Sequence, residues 1–575
     1  SLIFTIKYKY LPLDVPNIVY LNEPPRIYRS PTTSKQNNSP KTNQKQSKLD
    51  NQVSYDFLKS GTVFRGINLK SNSGMSIQSG LDLKLEGKFT DDIRITGALT
   101  NKNVPIQPEG NTQQLNEIDK VFLTLNMPNE NFTFGDYYLN LNQGRYGNYS
   151  RKLQGVKFSS KRGNFTSQAA GAVSRGKFHT NKFKGQEGKQ GPYQLKGKNG
   201  EEAIIILAGT EQVYINGRRV LRGENNDYTI DYSTGEITFT PNQLITSNSR
   251  ITVDFQYSDL VYQKNIVMAN SGISLSNDKL RVAAQFINEA DDRHNPIELE
   301  LTDEDKTLLQ KTGDNGTGAF KSTIKRDSSG SYILQDSVLV YTGKNRGTHT
   351  ATFYNVGSSG KYRKHYTSEK VYFEYVDKND PAVSGDLKEQ AIYLPAKPLK
   401  MPQKQQQYHL QTVWEPVDNF TLNTELTGSN LDRNTFSDID DNDNQGLAVN
   451  LSSRYISPKT DFGQFTVNGN FRNENRRFRA IDRNKSIEYE RKWDTGLAET
   501  PGERVYESNI QYSYQDNIRL KLEGGGLGSG KNSTRRMDSE LRFQYRWLKN
   551  LHYQREDINT DLEDTYSKEW IRQRA

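Results

Sequence analysis

Cysteine is absent from all 575 residues. That absence excludes disulfide staples, thiolate metal sites and cysteine nucleophiles together. It suits a chain exported to an oxidising compartment. Apolar material is scarce as well, at 33% of residues with a mean hydropathy of −0.86. No stretch approaches the ~18 consecutive apolar residues of a membrane helix, so any bilayer crossing must be made by strands. Histidine is limited to His179, His294, His349, His365, His409 and His552, with no pair at metal-ligand spacing and no HExxH. A zinc hydrolase has no basis here. No acid, base or nucleophile constellation stands out, and the expectation is a protein that is not an enzyme.

One-signed charge is missing too. Lysine and arginine number 77 against 68 acids, a net charge of +9 spread along the chain. A nucleic-acid partner calls for a concentrated basic face, so none is expected.

Tyrosine (32), phenylalanine (24) and glycine (44) are plentiful. They are the residues of strands, turns and aromatic girdles. In residues 77–100 the odd positions read Ile77, Leu81, Leu83, Leu85 and Phe89, and the even ones Gln78, Asp82, Lys84, Glu86 and Lys88. After Asp91-Asp92 the odd register resumes at Ile93, Ile95 and Leu99. A period of two over this length predicts an antiparallel hairpin with one apolar and one polar face. Its first arm is near the ~9–11 residues a tilted strand needs to cross a bilayer. The fold class expected is all-β, an antiparallel transmembrane β-barrel staircase with an inserted small β-domain.

The chain divides on the same reasoning. Residues 1–60 read as an N-terminal segment with a flexible Ser, Asn, Gln and Lys-rich linker. Residues 61–184 hold the first barrel strands, beginning with the hairpin at 77–100. Residues 185–259 change to short strands and tight turns such as Asn216-Gly217, a small domain with its own core; the apolar run 204–207 predicts a strand buried on both faces. A barrel hairpin follows at 260–289. Residues 290–404 form a large loop or second insert, with a short helix capped by Thr302 and Asp305. Residues 405–575 give the cleanest staircase, with turns alternating between short and long. Short turns on one side and long loops on the other are what an outer-membrane barrel predicts.

Four motifs invite chemistry. Gly525 to Asn532 has the spacing of a phosphate loop, but Asn532 stands where Ser or Thr must bind magnesium, and the following segment alternates like a strand. It reads as a flexible glycine turn. Asp438, Asp440, Asp441 and Asp443 crowd one loop, and calcium is the cofactor such oxygens would take. The alternative is a solvated acidic tip. Arg476, Arg477, Arg479 and Arg483 could meet phosphate or lipopolysaccharide, or simply water. Trp414 and Trp547 sit near strand ends as interfacial anchors do; Trp493 falls in a loop.

Residues 60–69 (SGTVFRGINL), 91–125, 176–197, 213–259 and 438–448 together resemble a family of large, uncharacterised outer-membrane barrel proteins of Bacteroidota. Residues 213–259 are more loosely similar to an inserted domain of the type IX secretion translocon barrel. The resemblance implies a location in the cell outer membrane and a barrel fold, and no substrate. Its members are usually longer, so the N-terminal part of a longer protein is expected; the opening on Ser1 without a charged-then-apolar signal segment reads as a processed or truncated N-terminus. The function expected is transport, protein export or envelope assembly, with outer-membrane lipid, lipopolysaccharide and envelope proteins as partners. A soluble or surface-attached adhesin binding carbohydrate or protein is the competing class.

Overall fold

The computed structural model describes residues 57–575, apart from 71–73, 103–120, 175, 199, 203, 259–260, 298–299, 315, 317, 367–370, 497–501, 516, 546–547 and 563–565. The linker and Trp547 lie outside the described residues.

Among the described residues eighteen strands make one sheet. The first seven are β1 (Phe57–Lys70), β2 (Gly74–Lys88), β3 (Arg94–Lys102), β4 (Val121–Asn126), β5 (Glu130–Leu141), β6 (Tyr149–Arg162) and β7 (Phe165–Ser174). Then come β8 (Tyr262–Leu275), β9 (Leu280–Pro296), β10 (Lys404–Val417), β11 (Phe420–Asp432), β12 (Gln445–Ile456) and β13 (Gln464–Glu474). The last are β14 (Glu503–Tyr514), β15 (Ile518–Ser529), β16 (Asn532–Tyr545), β17 (Leu548–Leu562) and β18 (Tyr566–Arg574). Each pairs antiparallel with the next in this order. The hairpin at 77–100 is β2–β3, closed by a bond from Phe89 N–H to Ile93 O of 2.8 Å. It is not the first: β1 precedes it, and part of β1 lies in the stretch assigned to the linker. Alternation in β1 is broken, with Leu58 and Phe64 at even positions, Lys59 and Arg65 at odd ones, and Gly61 and Gly66 between, so its period of two is weak.

Connections are unequal at the two edges. On one edge they are short, as at 127–129, 163–164, 276–279 and 418–419; on the other run 142–148, 175–261, 297–403, 433–444 and 475–502. The 530–531 turn is a short exception on the long edge, and Gly530 supplies its positive φ of 61°. The remaining glycines of the 525–530 motif lie in strand β15, so the motif is mostly strand rather than turn.

The sheet is apolar outward and polar inward, the reverse of a soluble domain. On β10, Tyr408, Leu410 and Trp414 are exposed while Gln407 and His409, on either side of Tyr408, are buried. On β11, Leu426 is exposed and Glu425 and Thr427 are buried. Registers align the apolar rows laterally: Leu410 faces Leu426, which faces Val449; Val467 faces Ile510, which faces Leu522. Aromatic residues recur six positions apart at the ends of these rows (Tyr408 and Trp414, Phe471 and Phe465, Tyr506 and Tyr512). Six residues span ~20 Å along a strand, comparable with the ~25 Å apolar band of outer-membrane barrels. Ring pairs Phe286–Tyr408 at 5.1 Å and Phe465–Tyr512 at 4.9 Å bind neighbouring strands at opposite ends of the band.

Inward curvature follows from one loop. Asp482 contacts Arg151 on β6, and Asp494 accepts a bond from the Trp570 indole on β18. In a flat sheet those strands would stand ~58 Å apart at ~4.8 Å per step. The chain from 482 to 494 reaches ~41 Å even when fully extended. The sheet therefore curls into a barrel, with the loop on its concave face.

Between β7 and β8, residues 177–258 form two smaller sheets. Arg250–Ser258 pairs with Lys177–Lys184, Ile205–Ile206 and Gln212–Ile215, and a second sheet joins Tyr193–Gln194, Tyr228–Asp231 and Glu236–Phe239. These sheets thus begin at Lys177, ahead of residue 185, because Lys177–Lys184 finds its partner in Arg250–Ser258. Their core, with Leu195, Val213, Ile237, Val253 and Phe255, is separate from that of the barrel. Asn216-Gly217 turns with φ of 49° and 82°, the geometry a two-residue hairpin needs. The run at 204–207 differs from expectation: Ile204 and Ile206 are buried but Ile205 is 45% exposed. Only one face of that short strand is covered. Residues 297–403 carry the helix Asp303–Gln310, with the Thr302–Asp305 capping box formed, and two four-stranded sheets around Tyr332, Leu339 and Tyr362.

Candidate functional site

The inward face is the candidate site, because polar side chains line it and two connections cross it. The first is 142–148. Glu425, buried on β11, accepts bonds from the Arg145 and Tyr146 backbone amides at 2.7 and 3.2 Å and from Asn450 Nδ2 at 2.9 Å. Gly144 makes this approach feasible, since a Cβ there would lie 2.4 Å from Glu425 Oε2. Tyr146 then reaches Glu474 on β13 through its hydroxyl at 2.9 Å. His409 stands beside this cradle, its Nδ1 2.9 Å from Thr427 Oγ1.

The second crossing segment is the loop 475–502, which touches one wall strand after another. Arg479 N–H donates to Ser429 Oγ at 3.0 Å, and Gln405 Nε2 donates to the Arg479 carbonyl at 3.1 Å. Asp482 takes Arg151 Nη1 at 2.6 Å, where Arg151 also binds Glu289 of β9 at 3.0 Å. Burial pushes the Asp482 carboxyl up, while the Arg151 guanidinium pulls it back down. Lys485 binds Glu503 at 3.0 Å, Lys492 binds Glu523 at 2.9 Å as well as Glu507, and Arg491 lies 3.6 Å from Glu556. The short helix Tyr489–Trp493 buries both end residues against Val505 and Leu527. Trp493, uninformative in the sequence, is a core residue of the crossing loop.

Behind the loop the wall carries a charge ladder. Arg472 meets Glu503 at 2.5 Å, Lys521 meets Glu523 at 2.8 Å, Arg536 meets both Glu523 and Glu556 at 2.7 Å, and Arg572 meets Glu556 at 3.0 Å. Carboxylates of this wall are thus shared between wall cations and loop cations. A buried charge pair costs desolvation and is held only when geometry and extra bonds repay it. Such a wall is hydrophilic and closely tied, to itself and to the crossing loop.

The predicted site residues separate. Asp441 comes together with Asp314 and Asp432, one carboxylate oxygen from each within 4.8 Å of the others. Asp438, Asp440 and Asp443 do not join that group; all three are exposed at the tip of 433–444. Calcium takes six to eight oxygens, so three carboxylates would supply part of a shell. Asp314 was not legible because its partners lie more than a hundred residues away. Burial raises its carboxyl above the usual range, and Asp441 and Asp443 nearby raise it further. Of the arginine cluster, Arg479 and Arg483 are engaged within the protein, and Arg477 Nη1 donates to the Asn442 carbonyl at 3.1 Å. Arg151, Glu289, Glu425 and Arg472 were missed. Their only sequence signal was polarity on the face opposite an apolar alternation.

Residues 178–259 match a family described as a Domain of unknown function (DUF8818). Among solved structures, OccK11 (OpdR) of Pseudomonas aeruginosa is 7% identical, with 90% of this chain and 92% of that chain covered, at a TM-score of 0.29. A BenF-like porin from Pseudomonas fluorescens Pf-5 is 8% identical, covering 90% and 97%, at 0.27. The outer membrane protein opdK from Pseudomonas aeruginosa is 8% identical, covering 89% and 98%, at 0.27. Superposition this loose assigns no activity. No curated protein matches the chain.

Proposed function

We propose that this chain is a non-enzymatic outer-membrane β-barrel that serves transport across that membrane. One observation supports the reading above the rest: an eighteen-stranded antiparallel sheet with an outward apolar band and an inward charged wall crossed by two segments. Water would not tolerate that outward band, whereas lipid requires it. Lipid is therefore the partner of the outer face, and its aromatic ends suit headgroup level. The polar wall suits a hydrated solute, and the crossing loop with residues 177–258 suits an occluded resting lumen. Export or assembly of envelope proteins is the second reading, favoured by the size of the long-edge segments. A soluble adhesin is disfavoured by the same apolar band.

Extraction and flux test the proposal. Detergent alone, and not carbonate, should release the protein from membranes, and the folded form should migrate faster than the heated form on gels. Proteoliposomes should then admit small polar solutes faster than empty liposomes. Release by carbonate would sink the barrel in lipid; tight insertion without any flux would move the function to export or assembly.

A further inference from the structure

The insert at 177–258 holds its own apolar core, composed of its own residues, and meets the crossing loop through charge. Arg483 grips Asp254 by a fork, with Nε at 3.1 and 3.0 Å from the two carboxylate oxygens and Nη2 at 2.9 Å. Its guanidinium also lies over the Tyr214 ring at 5.8 Å. Arg250 meets Glu488 at 2.7 Å, and Lys182 meets Glu490. The three carboxylates and three cations alternate in origin, with two insert cations on loop acids and one loop cation on an insert acid. One further pair, Lys400 with Glu201 at 3.0 Å, ties the insert to the segment before β10. The same loop is anchored to the barrel on its other side by Asp482, Lys485 and Lys492.

Apolar cores and ion pairs part differently. Opening a core exposes surface that water cannot satisfy, whereas an ion pair at a partly wet interface exchanges its partner for water and salt. The insert follows β7 and precedes β8 in the chain, and its Phe178 ring lies beneath the Arg151 guanidinium of the sheet at 5.1 Å. We propose that the insert is a hinged gate latched to the crossing loop by Asp254–Arg483, Glu488–Arg250 and Glu490–Lys182, and that release of these pairs is the step that opens the lumen. The latch rests on the transport reading for its purpose but not for its existence.

The chain has no cysteine, so two introduced ones can be labelled without interference. Spin labels at Asn225→Cys in the insert and Asp418→Cys on the short-turn edge report their separation in the refolded full chain. A single narrow distance is expected without further change. Asp254→Asn, Arg483→Gln and Glu488→Gln should each add a longer population. The exchange Asp254→Arg with Arg483→Asp should restore the narrow one. Raising KCl to about 1 M, where the Debye length falls to ~3 Å, should shift the unmodified latch the same way, and this arm stands even where a variant fails to refold. An unchanged distance in the variants and in high salt overturns the latch, as does an exchange that fails to rescue well-folded protein. Solute flux in the same proteoliposomes should rise with the longer population. If flux is absent throughout, the transport reading falls, while the distances still judge the latch.

Discussion

Replacing Leu426 by arginine separates a lipid-facing strand from a water-facing one by the sign and size of its effect. Leu426 is 44% exposed and sits in the middle of the outward band, flanked by Leu410 and Val449. In water, an arginine at so exposed a position changes stability by no more than ~0.5 kcal/mol. Facing lipid near the bilayer midplane, it costs ~2–4 kcal/mol. With ~1.4 kcal/mol per tenfold change in equilibrium constant, that is a loss of about 25-fold or more in the folding equilibrium constant, read as a shift of the urea midpoint to lower concentration. A control at Asp418, fully exposed on the short-turn edge, should show no comparable loss on replacement by arginine. The assay is equilibrium refolding from urea into phospholipid vesicles, with folded protein scored by heat-modifiable mobility. A Leu426→Arg protein within about 0.5 kcal/mol of the parent would refute the lipid-facing assignment.

Three further outcomes are expected. Glu503→Ala strands Arg472 of the wall and Lys485 of the crossing loop without their shared carboxylate, a loss of ~3–5 kcal/mol for a buried pair, whereas Glu202→Ala, at an exposed pair with Lys196, should leave the unfolding midpoint in place. Gly526→Ala puts a Cβ 2.4 Å from the Tyr506 hydroxyl and should cost ~1–3 kcal/mol by overpacking; Tyr506→Ala should remove most of that cost in the double variant, and additive losses would contradict the contact. Asp314 titrates high in the folded chain, so its folded form gains stability as pH falls toward the unfolded value and loses it on the neutral side. Asp314→Asn should accordingly raise the melting temperature at neutral pH without calcium. If the Asp314–Asp432–Asp441 group holds calcium, added calcium should stabilise the parent and not Asp441→Asn; a parent indifferent to calcium removes the metal from consideration.

The alternation that announced the strands is a local property, since side chains two apart on a strand share a face whatever the strand pairs with. Phe465, Val467 and Phe471, or Leu541 and Phe543, therefore marked strands from sequence alone, and the inequality of the turns marked the edges. The capping box at Thr302 and the Asn216-Gly217 turn were legible for the same reason, each being settled within four residues. Where local signals are weak, as in β1 with its glycines, or in the 204–207 run, whose Ile205 turned out to be exposed, the sequence reading strayed.

Which face looks inward, and what crosses it, belonged to the tertiary structure. Arg151, Glu289 and Asp482 lie on β6, β9 and the 475–502 loop, and nothing in their flanking residues pairs them. The same holds for Asp254 with Arg483 and for Asp441 with Asp314 and Asp432. Charge pairs of this kind are made by curvature and register, which bring distant segments to within ~3 Å only once the sheet has curled. Sequence alone determined that this chain is a staircase of one-sided strands. The curled sheet decided that its polar side is a lumen wall, and that a loop from one edge is tied across it.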